Sequence, residues 1–206
     1  MRVIFIISSF LFLIASSANA TGLFVGADAL FANSRHQAKN SSTTSGPKNG
    51  DVQDAEKFNY GVNAGVRVDL LNFLVSAEAF YDNIETSSHD FIAFDGSVKG
   101  QDSMKINNRY GVKANVGVAF LPRVTTFLTY GLANVNYSSV VASSGSSVRQ
   151  EELSPIYGVG LLIDLPFGIS AKASYDYQSF DARYALDSAK TRVHLGVARL
   201  GVVYNF

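Results

Sequence analysis

The chain has 206 residues, of which 47% are hydrophobic and 12% aromatic, with 17 glycines, no cysteine, and 17 basic residues balancing 17 acidic ones. The missing cysteine excludes disulfide frameworks, Cys-ligated zinc, iron–sulfur clusters and thiol nucleophiles. The apolar content excludes a disordered chain, the zero net charge gives no electrostatic ground for a nucleic-acid partner, and the length suits one domain.

Residues 1–20 read as a cleaved secretory signal peptide. Arg2 is a short positive start, Val3 to Ala15 is apolar apart from Ser8 and Ser9, and Ala18-Asn19-Ala20 supplies the small-x-small pattern before a cut. A retained anchor would need ~20 apolar residues and a basic stop-transfer cluster, and neither is present. The folded domain is then 21–206.

Within it the periodicity is two rather than 3.6. Strands are expected at 22–33, 57–70, 72–84, 104–120, 123–137, 152–165, 167–180 and 191–206. The second shows the alternation best. Phe58, Tyr60, Val62, Ala64, Val66, Val68 and Leu70 share one face, while Asn59, Gly61, Asn63, Gly65, Arg67 and Asp69 share the other. In the fifth, Phe127, Thr129 and Gly131 against Leu128, Tyr130 and Leu132 leave the facing open.

The connections alternate in length. Tight turns fall at Leu70-Leu71-Asn72, Leu121-Pro122-Arg123 and Leu165-Pro166-Phe167. Long polar segments run from Ser34 to Glu56, Glu85 to Ser103, Ser138 to Glu151 and Asp181 to Lys190. Eight strands with short turns at one end and long loops at the other predict an all-β, antiparallel up-and-down transmembrane barrel. A soluble β-sandwich or lipocalin-type barrel would turn the apolar face inward. Against it stand the breadth of that face, the mid-strand charges opposite, and aromatics near strand ends: Phe24, Phe31, Phe58, Tyr60, Phe73, Tyr81, Tyr110, Phe120, Phe167, Tyr175, Tyr177, Tyr204 and Phe206, as an interfacial girdle requires.

At the C-terminus Ala198, Leu200, Val202, Tyr204 and Phe206 share a face, and Phe206 is the last residue. The pattern resembles the C-terminal signature of bacterial outer-membrane barrels. The mature chain is similar to the small eight-stranded outer-membrane family that includes the opacity proteins, the OmpX-like proteins and the transmembrane part of OmpA-type proteins. The resemblance implies an integral barrel in the outer membrane of a Gram-negative bacterium, surrounded by the lipid bilayer and lipopolysaccharide. It also implies that the barrel-assembly machinery recognises the strand carrying Tyr204 and Phe206, and that the barrel is a monomer displaying loops to a host or extracellular ligand.

An eight-stranded barrel is just wide enough for side chains to fill it. The inward parity carries Asp28, Asn63, Arg67, Glu78, Arg109, Lys113, Lys172, Asp176 and Arg199. Of these, Asp28, Arg67, Glu78, Lys113, Lys172, Asp176 and Arg199 are the expected ionic network. Asp28, Glu78, Lys113, Lys172 and Arg199 sit at similar heights above the tight turns, which puts Asp28 beside Arg199 and Glu78 beside Lys113. Such ions either plug the lumen as pairs or line a narrow water path.

The chemistry inventory is thin. His36 lies in the first loop, His89 beside Asp90 in the second, and His194 on the outward parity of the last strand. None has the Ser and acid spacing of a barrel hydrolase, and no phosphate loop, metal cluster or cofactor motif occurs. Loop one (Ser41 to Ser45, then Gly46-Pro47) and loop three (Ser143-Ser144-Gly145-Ser146-Ser147) are low in complexity. In loop two, Phe91, Ile92, Phe94 and Val98 alternate with polar residues, either extending a hairpin or forming a contact edge. The functional expectation is a non-enzymatic surface barrel for adhesion or host and environment contact. The alternatives are a small porin-like channel and, more distantly, a barrel hydrolase.

Overall fold

A computed structural model describes residues 21–38, 59–92, 101–140, 147–183 and 190–206. The segment read as an export signal, Phe58, Phe94 and the serine run of loop one lie outside them. His36, His89, Phe91 and Ile92 are described through their backbone. The eight strands are β1 (Thr21–Ala38), β2 (Asn59–Leu70), β3 (Phe73–Ile92), β4 (Gln101–Leu121), β5 (Val124–Val140), β6 (Ser147–Asp164), β7 (Ile169–Arg183) and β8 (Lys190–Asn205). Each pairs antiparallel with the next, and β1 closes on β8 into a barrel. The Phe206 amide donates to the Leu23 carbonyl at 2.9 Å, so the last residue is sewn into the wall.

Because side chains alternate across a strand, each strand presents one row to the outside and one to the lumen. The outer rows are apolar: Val62, Val112, Val116, Leu128, Val159, Leu200 and Val202 are all exposed. A protein in water buries such residues, whereas one in a bilayer turns them to the lipid. This excludes the soluble sandwich and lipocalin readings. It also settles β5, where Leu128, 70% exposed, faces out and Phe127, 7% exposed, faces in.

Aromatics border the apolar band. Phe31, Tyr60, Tyr81, Tyr110, Tyr157 and Tyr177 stand toward the loop end, and Phe73, Phe120, Phe167, Tyr204 and Phe206 toward the turn end, all exposed. From Tyr110 to Phe120 is about 33 Å of strand, or roughly 25 Å of height once tilted, which matches the hydrophobic thickness such barrels span. Phe24 departs from the expected girdle. It is 6% exposed and lies in the lumen, where a Cβ on Gly65 would meet its Cζ at 2.8 Å. The inward glycine leaves room for the ring.

The tight turns hold Leu71, Arg123 and Phe167 at φ 55°, 69° and 66°. Leu71 and Arg123 belong to the two-residue turns 71–72 and 122–123 and Phe167 to the four-residue turn 165–168, where Gly168 also has φ 74°. The left-handed region costs a non-glycine about 1–2 kcal/mol. At the other end pairing runs beyond the expected boundaries, to Ile92↔Gln101 and Val140↔Ser147. The polar stretch Thr86-Ser87-Ser88 continues the ladder there. Between β6 and β7 the ladder stops at Ile156↔Gln178. Pro155, next along, has no N–H to give. Above that point side chains stitch the wall: Gln178 Nε2 donates to Ser154 Oγ at 2.8 Å, and the Tyr137 and Phe180 rings meet with centroids 5.8 Å apart.

Candidate functional site: the barrel lumen

The inward rows stack into three levels. Nearest the tight turns, Arg67 donates bidentately to Asp164 at 2.8 and 2.9 Å and through Nε to Asp69 at 2.9 Å. Ser170 donates to Asp164 at 2.7 Å. These residues line a vestibule of about 410 Å³ that opens at this end. Arg67 therefore stands apart from the network to which its parity assigned it, because Asp69 and Asp164 on the rim occupy its guanidinium. Above it, Phe24, Leu74, Phe127 and Leu162 enclose with Ser76, Glu78, Asn115 and Lys172 a cavity of about 30 Å³, room for a water or two.

The middle level is ionic. Asp176 Oδ2 accepts from Arg109 Nη2 at 3.2 Å, Lys113 Nζ at 3.0 Å and Arg199 Nε at 2.8 Å. Asp82 Oδ2 accepts from Arg109 Nε at 2.7 Å and from Arg199 Nη2. Asp28 Oδ2 accepts from Arg199 Nη1 at 3.1 Å and Asn63 Nδ2 at 2.9 Å. Glu78 lies 3.2 Å from Lys113 and 3.3 Å from Lys172. Asp28, Glu78, Asp82 and Asp176 thus face Arg109, Lys113, Lys172 and Arg199, and the formal charge cancels. All eight are buried, so each charge depends on the others for the solvation that water would give. The Phe80 ring lies among three of the cations, with Lys113 Nζ 4.4 Å from its centroid, adding cation–π attraction.

Four oxygens in this level accept no hydrogen bond: Oδ1 of Asp28, Asn63, Asp82 and Asp176. Each lies against a glycine of a neighbouring strand, respectively Gly201, Gly26, Gly61 and Gly158. A Cβ at Gly26, Gly61 or Gly158 would come within 2.6–2.7 Å of the oxygen. The inward glycines are the seats of the network, since any side chain there would collide with these oxygens.

The upper level is apolar. Leu30, Ile84, Ile106, Val135, Tyr137, Phe180, Ala182, Val193, Leu195 and Val197 form one cluster across the barrel, each at most 4% exposed. The lumen is thus closed on the loop side by a hydrophobic plug, which the inward charges alone did not foretell. Gln178 joins the two levels: its Oε1 accepts from Arg109 Nη1 at 3.3 Å, and its Nε2 donates to the Ala133 carbonyl at 3.2 Å.

Sequence reasoning missed Asp82 and the plug. Asp82 had a signal, since it shares the parity of Glu78 four residues on. The plug's signal was an inverted alternation: on β5 the buried Val135 and Tyr137 alternate with Asn134 and Asn136, and on β8 the buried Val193 and Leu195 alternate with Arg192 and His194. His194 faces outward, hydrogen-bonded to the Tyr177 hydroxyl at 2.6 Å with the rings stacked, away from the lumen groups. Among the described residues no His, Asp and Glu side chains converge as metal ligands.

The model of the outer membrane protein beta-barrel domain matches residues 4–206. The chain belongs to this family. It is accordingly an outer-membrane protein, and several solved barrels share its architecture. Ail of Yersinia pestis, the attachment invasion locus protein, solved with the heparin analogue sucrose octasulfate, is 19% identical over 90% of this chain and 99% of its own, with a TM-score of 0.50. Neisserial surface protein A is 13% identical over 91% and 100%, with a TM-score of 0.51. AlkL, solved in lipid bilayers, is 12% identical over 92% of each chain, with a TM-score of 0.60. No curated protein matches by sequence. These likenesses establish the fold.

Proposed function

We propose that this outer-membrane barrel is non-enzymatic and non-conducting, and that its extracellular parts contact a host or environmental surface. The observation that carries the reading is the plugged lumen. A path entering the vestibule at Arg67 meets the ionic level and then ten tightly buried apolar side chains. In this reading residues 1–20 are the export signal, Tyr204 and Phe206 mark the strand taken up by the assembly machinery, and the barrel works as a monomer surrounded by lipopolysaccharide. The contact segment lies at the β3–β4 tip, where the hairpin stem is paired out to Phe91↔Asp102 and Ile92↔Gln101. An attachment role for Ail on the same fold is in keeping with this.

The deciding experiment is conductance in a planar bilayer, using refolded protein whose unboiled gel band shifts on heating. A silent, folded barrel is expected. Discrete, reproducible steps would overturn the reading in favour of the porin-like channel. Replacing Phe91, Ile92 and Phe94 together by Ser should lower adhesion of expressing cells while leaving the heat shift intact, and undiminished adhesion would remove that tip as the contact.

A further inference from the structure

The outer surface holds a further cleft, apart from the ionic level and the β3–β4 tip, and its Gln150 accepts from the hydroxyl of the plug residue Tyr137 at 2.8 Å. On β4, β5 and β6 the lipid-facing rows end at Tyr110, Asn134 and Leu153, which are register neighbours. The next row up is Asn108, Asn136 and Glu151, and above it stand Lys105, Ser138 and Arg149. The register shift between Ile106 and Asn108 inserts Asn107, whose Nδ2 donates to Ser138 Oγ at 3.3 Å. Two consecutive asparagines thereby reach the same face, which regular alternation forbids and a β-bulge permits. Asn136 Nδ2 donates to Asn108 Oδ1 at 2.6 Å. Asn107, Asn108, Asn136, Arg149, Gln150 and Glu151 line a cleft of about 430 Å³.

The cleft combines carboxamides with one guanidinium, and the Glu151 carboxylate leaves Arg149 as its single anion-binding group. Carboxamides offer donors and acceptors side by side, as vicinal hydroxyls require, and a guanidinium fork matches a phosphate or carboxylate bidentately. Arg149 is exposed and has no ion-pair partner among the described residues, whereas Arg192 on β8 is held by Asp181 at 3.2 Å. The exposed Tyr110 ring lies one row below as a stacking surface. No aromatic or aliphatic anchor lies among the lining residues, as a protein hot spot would need. The cleft also opens directly above the aromatic belt, where lipid headgroups lie.

We propose that this cleft binds an acidic saccharide, with Arg149 on its phosphate or carboxylate and Asn107, Asn108 and Asn136 on its hydroxyls. The test is calorimetric titration of the refolded full barrel with a glucosamine disaccharide bisphosphate, its unphosphorylated counterpart and inorganic phosphate. Saturable binding is expected, with the bisphosphate ~10-fold tighter than the neutral sugar. Arg149→Ala should abolish that preference, and Asn136→Ala should weaken both sugars ~10-fold. Arg192→Ala should change neither, and every variant is first required to show the heat-shifted band. Absence of sugar binding, binding that survives both cleft variants, or inorganic phosphate binding as tightly as the bisphosphate would overturn the proposal. Two further arms identify the source. Tighter binding of an acylated bisphosphate disaccharide in lipid discs than of the free sugar assigns the site to a glycolipid of the same membrane, and equal binding assigns it to a soluble glycan.

Discussion

The middle and upper levels of the lumen solve one problem with opposite chemistry. Both must fill a cylinder closed to lipid. The middle level fills it with four carboxylates and four cations that satisfy one another, and the upper level with ten apolar side chains packed to near-zero exposure. The ionic level is specific and brittle, because each charge was stripped of water on the understanding that its partners stay. The apolar level is tolerant, because it loses only contacts and volume when trimmed. The difference teaches that a barrel interior, unlike a soluble core, is under no demand to be hydrophobic or polar, only to be full and satisfied.

The comparison breaks most sharply at Asp176, the acceptor shared by Arg109, Lys113 and Arg199. Asp176→Ala should destabilise the barrel by about 3–5 kcal/mol, read as a lower urea midpoint for unfolding from lipid. A loss below about 1 kcal/mol would mean that water enters and the level is not sealed. In the plug, Leu195→Ala should cost about 2–4 kcal/mol in the same assay, while Leu195→Met should cost under about 1.5, a tolerance the ionic level should not share. Gly158→Ala tests the seats: pressing a methyl onto Asp176 Oδ1 should cost about 1–3 kcal/mol, measured as a fall in the gel-shift temperature. At the small end, Arg192→Ala removes an exposed pair with Asp181 and should shift stability by under about 1 kcal/mol, serving as the baseline.

The same contrast explains what was legible. Strand number, the three turns and the outward face were readable because lipid imposes a hydrophobic row on every strand, and β2 alternates without interruption from Asn59 to Leu70. Inward charges such as Glu78, Lys113 and Arg199 were readable because a charge on a membrane strand has nowhere else to go. The plug was hidden because Val193, Leu195 and Val197 look like lipid-facing residues, and parity had to be counted back from Phe206 to place them. Phe24 was misassigned to the girdle by its place near a strand end, although it shares the inward parity of Asp28 four residues on. The Asn107 bulge was not legible, since one inserted residue changes register without changing composition.

The four glycine seats carry a consequence for how such a chain can drift over generations. A side chain added at Gly158 is penalised while Asp176 remains, and removal of Asp176 alone is penalised while its cations remain. The oxygen and its glycine are therefore held on different strands as one inherited unit. Neutral change in this lumen should proceed by coupled exchanges across neighbouring strands, while the lipid-facing rows substitute freely, one apolar residue at a time.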